Sequence, residues 1–271
     1  MTSWTERYSE NPLVSYCLIS FRQERFIEHA VRSALNQDYR PLEIILSDDA
    51  SPDSTSEIIS RLVTSYTGPH RVIFNRLTTN VGLVGNLNAC FSQASGEFFV
   101  PAAGDDISTP HRVSKLIARL RCDTKPADIA CSHFEEIDEA GRATGYTKKE
   151  VVFTPDLRAP VRNWRCGATG ACVAYHRGLW DDFGPLDENV VSEDWVYSFR
   201  AWLGRGIVVV PEPLVQHRTH SESLSVRART VRTLRSKSER EALRKRMAIG
   251  SLAIAKEWQR AWLMRRGQDH E

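Results

Sequence analysis

Three pairs of adjacent carboxylates flank apolar stretches of this chain: Asp48-Asp49 behind "LEIILS", Asp105-Asp106 behind "GEFFVPAAG", and Glu193-Asp194 ahead of "WVYSFRAWL". Neighbouring carboxylates repel, so such a pair is costly unless it caps a turn or meets a cation. A solvated turn or a capped helix end explains any one pair alone. Three pairs in one chain point further. Hard divalent cations take oxygen ligands and keep positions open for phosphate. A carboxylate can also accept a proton from an attacking hydroxyl. The chemistry suggested is metal-assisted handling of a phosphorylated ligand beside a general base.

The segments around the acids show how they are to be positioned. "LVSYCLIS", "LEIILSDDA", "RVIFNR" and "GEFFVPAA" read as strands, rich in β-branched and aromatic residues. "ERFIEHAVRSALNQ", "STSEIISRLVTSY", "LVGNLNACFSQA" and "PHRVSKLIARL" carry helical spacing between them. Ser54 with Glu57 three residues on has capping-box spacing, and Pro110 suits a first helical turn. This alternation predicts a mostly parallel sheet with helices on both faces. In such sheets ligands bind beyond the carboxyl ends of the strands. Asp48-Asp49 and Asp105-Asp106 are therefore expected on one rim. Trp195, Phe199 and Trp202 are available to anchor the helix behind Glu193 and Asp194.

Composition excludes several classes. The 271 residues are 41% hydrophobic and 26% charged, ordinary for a globular protein. No apolar run approaches the roughly 20 residues that span a bilayer. The opening "MTSWTERYSENP" lacks the basic start and apolar core of a signal peptide. The six cysteines form no CxxC pair, against a zinc site and in keeping with reduced thiols. A nicotinamide enzyme would carry GxGxxG after the first strand, where "SFRQER" has no glycine. A nucleotidyltransferase would usually carry a basic glycine-rich phosphate loop early in the chain. No nucleic-acid partner is expected. Residues 226–271 hold 13 Lys/Arg against 5 Asp/Glu, whereas the rest of the chain is acidic, so a boundary is expected near residue 225.

The order of these motifs resembles that of family 2 inverting glycosyltransferases. The likeness runs from "PLVSYCLISF" through "AVRSALNQDYRPLEIILSDDASPDST" and "NVGLVGNLNACFSQASGEFFVPAAGDD" to "SEDW" and "VQHRTHSESLS". It implies a GT-A fold, an α/β architecture with a Rossmann-like, mostly parallel sheet, over residues 1–225; charge and helical spacing mark 226–271 as a basic amphipathic helical extension. It implies a nucleotide-diphosphate sugar donor held by Ser20, Phe21, Asp48, Asp49, Asn80 and Asp105. Mg²⁺ or Mn²⁺ would be bound by Asp105, Asp106 and His220, with Asp105 favoured among the two acids. Asp194 would be the catalytic base, with Glu193 beside it. Gly167, Gly170 and Trp195 would lie on the side of a saccharide or lipid-linked saccharide acceptor. Two positions depart from the family pattern: Ala103 stands where the first Asp of Asp-x-Asp is usual, and Arg22 where an Asn is usual. Arg218 is a candidate partner for diphosphate oxygens. A non-catalytic carbohydrate- or nucleotide-sugar-binding protein with a decayed transferase fold is the alternative, which Asp105, Asp106 and Asp194 argue against.

In the extension, Leu243, Met247, Ile254, Trp258 and Ala261 share one helical face. Such a helix fits an anionic membrane surface, the catalytic domain, or a homo-oligomer partner. The expected location is the cytoplasm, with peripheral contact at the inner face of the membrane under the first of these readings.

Overall fold

The computed structural model describes residues 10–122, 126–151, 167–223 and 252–265. Nine strands form one sheet in the order β3-β2-β1-β4-β8-β6-β9-β5, with β7 also paired to β6. Its first half is the predicted parallel array: β1 (Val14–Ser20), β2 (Leu42–Asp48), β3 (Arg71–Arg76) and β4 (Phe98–Ala103). Helices α1 (Ile27–Leu35), α2 (Thr55–Thr64) and α3 (Gly82–Gln93) make the crossovers. Strand alternation sorts the core onto two faces. Val14, Tyr16 and Leu18 of β1 pack with α1 and α4 (Arg112–Leu120), while Cys17 packs with α3.

The second half is mixed. The short β5 (Ile107–Ser108) runs antiparallel to the long β9 (Ile207–Arg218). β8 (Val173–His176) is antiparallel to β4 and to β6 (Ile129–Ile137), which is parallel to β9. β7 (Ala143–Lys148) adds a largely exposed strand to β6. Two reversals restore the original direction, so β6 and β9 end on the same rim as β1, β2 and β4. Helices α5 (Gly178–Asp181) and α6 (Glu193–Leu203) follow β8 and precede β9.

The capping box is not formed. The Ser54 side chain caps nothing, and Glu57 pairs with Arg76 instead at 3.2 Å. Asp53 takes over, accepting the Thr55 backbone N–H at 3.2 Å and its hydroxyl at 2.6 Å. The Ser54 N–H that Glu57 would take in a capping box donates instead to Glu24 Oε2 at 3.1 Å.

Residues 252–265 are helical. Ala253, Ile254, Trp258 and Ala261 are buried in the cluster that includes Val196, Tyr197 and Phe199 of α6, and Phe199 stacks on Trp258 at 4.9 Å. This helix therefore packs on α6 and the core beneath it. Leu243 and Met247 lie outside the described residues. No helix among the described residues is long and apolar enough to cross a membrane.

Candidate active site

Three groups of side chains meet the rim. The first forms where β1, β2 and α3 converge. Ser20 and Asp48 are register partners at the strand ends, and the Ser20 hydroxyl donates to Asp48 Oδ1 at 3.3 Å. Asp48 also accepts the Ser51 hydroxyl at 2.5 Å and the Ser51 N–H at 3.1 Å. Asp49 accepts the backbone N–H groups of Val81 and Gly82 at 2.8 and 2.9 Å. Burial raises the Asp49 carboxyl above its ordinary range, and these two donors partly offset that. Gly82 begins α3 at φ +78°, a conformation that favours glycine. Asn80 donates to the Asp49 carbonyl at 3.2 Å. Both carboxylates are buried and engaged by the chain itself, so they hold the loops of this rim in place. Phe21 projects from it, 40% exposed.

The second group joins the end of β4 to the end of β9, and it separates the two adjacent acids. The Asp105 carboxylate lies 3.0 Å from His220 Nε2. Asp106 turns inward, 3.1 Å from His217 Nδ1, and accepts the Arg218 N–H at 2.8 Å. Burial pushes the Asp106 carboxyl up, against the pull of His217. Burial lowers the His217 imidazole, but neighbouring Asp106 outweighs it and the net direction is upward. The Asp106 oxygens thus face β9, while Asp105 is the acid beside His220. Arg218 is buried and donates to the carbonyls of Asp105 (3.0 Å), Asp138 (3.1 Å) and Glu139 (3.0 Å). Behind them, buried Arg112 donates to the Pro101 carbonyl at 2.7 Å and the Ser108 hydroxyl at 2.9 Å, which fixes the chain on both sides of Asp105.

Asp105 and His220 offer one hard oxygen and one imidazole nitrogen. No group of three or more His, Cys, Asp or Glu able to hold a metal occurs among the described residues. A two-ligand set still fits a divalent cation whose other positions are filled by phosphate and water.

The third group is the first turn of α6. Glu193 and Asp194 are partly buried there, next to a short turn at Gly170–Cys172 that leads into β8. The antiparallel β4–β8 register carries this turn to the same rim as Asp105. Gly170 lies close to both acids: a Cβ there would stand 2.6 Å from Glu193 Oε1, the movable end of that side chain, and 3.4 Å from Asp194 Cβ. Asp194 Oδ1 accepts the Trp195 N–H at 2.9 Å. Desolvation raises Asp194 to about 6, against the backbone donors of Trp195 and Gly170 and the charge of Lys148. Desolvation and the charge of Asp194 raise Glu193 to about 8. Of the aromatics expected to anchor α6, Phe199 is buried and Trp202 partly so. Trp195 is instead 39% exposed beside the acids, and a Cβ on Gly167 would meet its ring at 3.2 Å. Sequence reasoning missed Lys148, Glu150 and Thr169, which surround the same turn. No motif marks them.

The sequence model of Glycosyl transferase family 2 matches residues 15–184. The putative glycosyltransferase EpsE of Bacillus subtilis is 36% identical over 112 residues, covering 41% of this chain and 40% of EpsE. The mannosyltransferase PcManGT of Pyrobaculum calidifontis, solved with GDP-Man and Mn²⁺, superimposes with TM-score 0.62 at 15% identity, over 94% of this chain and 74% of that one. S. aureus TarS 1–349 with UDP-GlcNAc gives TM-score 0.59 at 19% identity, over 78% and 59% of the two chains. This chain spans 40% to 60% of the length of the curated relatives it matches first. The fold is GT-A. The chain belongs to glycosyltransferase family 2.

Proposed function

We propose that this chain transfers a sugar from a nucleotide-diphosphate donor to a saccharide hydroxyl with inversion, by a metal-dependent single displacement. The observation that carries the reading is the shared rim: the Asp105–His220 pair at the β4 end, and Asp194, ionisable near neutrality, against Gly170. Family membership supports it, as do the fold neighbours solved with GDP-Man and UDP-GlcNAc.

In this reading Ser20 and the exposed ring of Phe21 meet the nucleotide, on a floor shaped by Asp48, Asp49 and Asn80. Asp105 and His220 would hold Mn²⁺ or Mg²⁺, which neutralises charge growing on the leaving diphosphate. Asp194 accepts the acceptor hydroxyl's proton as the oxygen attacks the anomeric carbon. Glu193, neutral below about 8, can donate a hydrogen bond beside it without repelling the acceptor oxygen. Trp195 offers an apolar face to the acceptor sugar, with Gly167 and Gly170 giving the backbone room. Residues 1–225 form the catalytic unit, with helix 252–265 as its buttress. A surface glycan or lipid-linked saccharide is the acceptor class proposed.

A thermal-shift screen tests donor binding, using UDP, GDP, UDP-GlcNAc and GDP-mannose with Mn²⁺ and with EDTA. A nucleotide at 100 times its dissociation constant adds about 2.7 kcal/mol of stability. No shift with any nucleotide in Mn²⁺ would remove the donor reading.

A further inference from the structure

Lys148 closes β7, and its side chain reaches back to the turn that carries Gly170. Its Nζ donates to Thr169 Oγ1 at 2.6 Å and stands 3.0 Å from Glu150 Oε1. The Thr169 hydroxyl in turn donates to Glu150. Glu150 is 6% exposed, and its backbone N–H donates to His133 Nδ1 at 3.1 Å. Lys148 Nζ also lies over the Phe134 ring, 5.6 Å from its centroid. A long, flexible side chain on an exposed edge strand is thus fixed from three sides. Part of the reason is structural, because Glu150 is buried and Lys148 supplies the cation beside its carboxylate.

Position gives a further reason. Thr169 immediately precedes Gly170, whose backbone amide favours the charged form of Asp194. A Cβ on Gly170 would be 3.4 Å from Asp194 Cβ, so displacement of this turn reaches the acid directly. The groups facing Asp194 come from several elements. Glu193 lies on its own helix, Tyr175 on β8, and Lys148 with Glu150 on and just beyond β7. Burial and the neighbouring acid oppose a second negative charge here, whereas Lys148 favours it.

We propose that Lys148 is a positioning residue for the base: through Thr169 it seats the Gly170 turn against Asp194, and its charge keeps Asp194 able to accept a proton. This rests on Asp194 being the base. The Lys148 side chain is 40% exposed at a sheet edge but its partner Glu150 is buried, so the melting temperature of each Lys148 variant is measured beside its titration.

The test separates the contact from the catalytic reading. The Asp194 carboxyl is titrated by ¹³C NMR in the full chain, its resonance assigned by loss in Asp194→Asn. The parent midpoint is expected near 6. In Lys148→Met it rises by about one pH unit, and Lys148→Arg restores it. The rising limb of nucleotide release against pH, measured with acceptor and the donor retained by the binding screen, follows the same order. An Asp194 midpoint identical in the parent and Lys148→Met overturns the proposal. A midpoint that moves while the rate profile does not would instead overturn Asp194 as the base.

Discussion

Arg200 of α6 and Glu257 of helix 252–265 form a buried ion pair at 2.9 Å, which ties that helix to the element whose first turn carries Asp194. Most of its polar atoms are engaged, although Arg200 Nε has no partner among the described residues. Arg200 also donates to the carbonyls of Leu179 (3.1 Å) and Gly184 (2.8 Å), and Glu257 accepts the Asp187 N–H at 3.1 Å. Breaking one side leaves an uncompensated buried charge. Glu257→Ala is expected to destabilise the protein by about 3–5 kcal/mol in urea unfolding. A loss below about 1 kcal/mol would show that helix 252–265 does not brace α6 in solution.

The two aspartates at the end of β4 should behave differently. Asp105→Ala and His220→Ala are expected to fold and to lose the Mn²⁺-dependent part of nucleotide diphosphate binding, measured by calorimetry with Mn²⁺ and then EDTA. Asp106→Ala removes the partner of His217 and of the Arg218 N–H, so its main effect should be a lower melting temperature. Metal-dependent binding that survives in Asp105→Ala but vanishes in a stably folded Asp106→Ala would reverse the assignment.

The acid pair gives the rate a pH signature. Transfer should rise with pH through a midpoint near 6, as Asp194 ionises. Glu193 loses its proton later, near 8, so Glu193→Gln should leave the rising limb in place and remove any change near 8. Because the acids are neighbours, the midpoints belong to the pair. A rising limb that Glu193→Gln moves well below 6 would mean that Glu193 is already charged when Asp194 titrates.

The same shifts carry a cost in stability. Both folded-state values are raised, so between about pH 4 and 8 the folded protein holds more protons than the unfolded chain. The contribution of this pair therefore becomes less favourable as pH rises through that window. Asp194→Asn and Glu193→Gln should each gain on the order of 1–2 kcal/mol relative to the parent at pH 8, and little at pH 4. Equal differences at both pH values in urea unfolding would contradict the raised values.

The first half of the fold was legible because its strands are short apolar runs and its helices carry clear periodicity. Leu42–Asp48 is buried throughout and ends where the acids begin. The second half was not. β7 is "ATGYTK", exposed and without apolar alternation, so nothing marks it except the hairpin that pairs it with β6. β9 contains Pro211 and Pro213, which argue against a strand, yet it is 12 residues long. The sheet absorbs them through register shifts opposite Ser132 and His133. At the site, the sequence locates an acid pair but not which member turns inward. That depends on His217 and Arg218, more than 110 residues away. Lys148 and Glu150 escaped for the same reason: they belong to no motif, and only the β6–β7 hairpin brings them to the Thr169–Gly170 turn.

Replacing Asp194 tests the central claim most directly. Asp194→Asn keeps the shape of the side chain and removes its proton acceptor. On one preparation, donor binding is measured by calorimetry with Mn²⁺, and transfer by nucleotide release with acceptor. The account predicts donor affinity within about twofold of the parent, and transfer slower by about 10²–10⁴. Transfer at the parent rate, with donor still bound, would take the catalytic base away from Asp194.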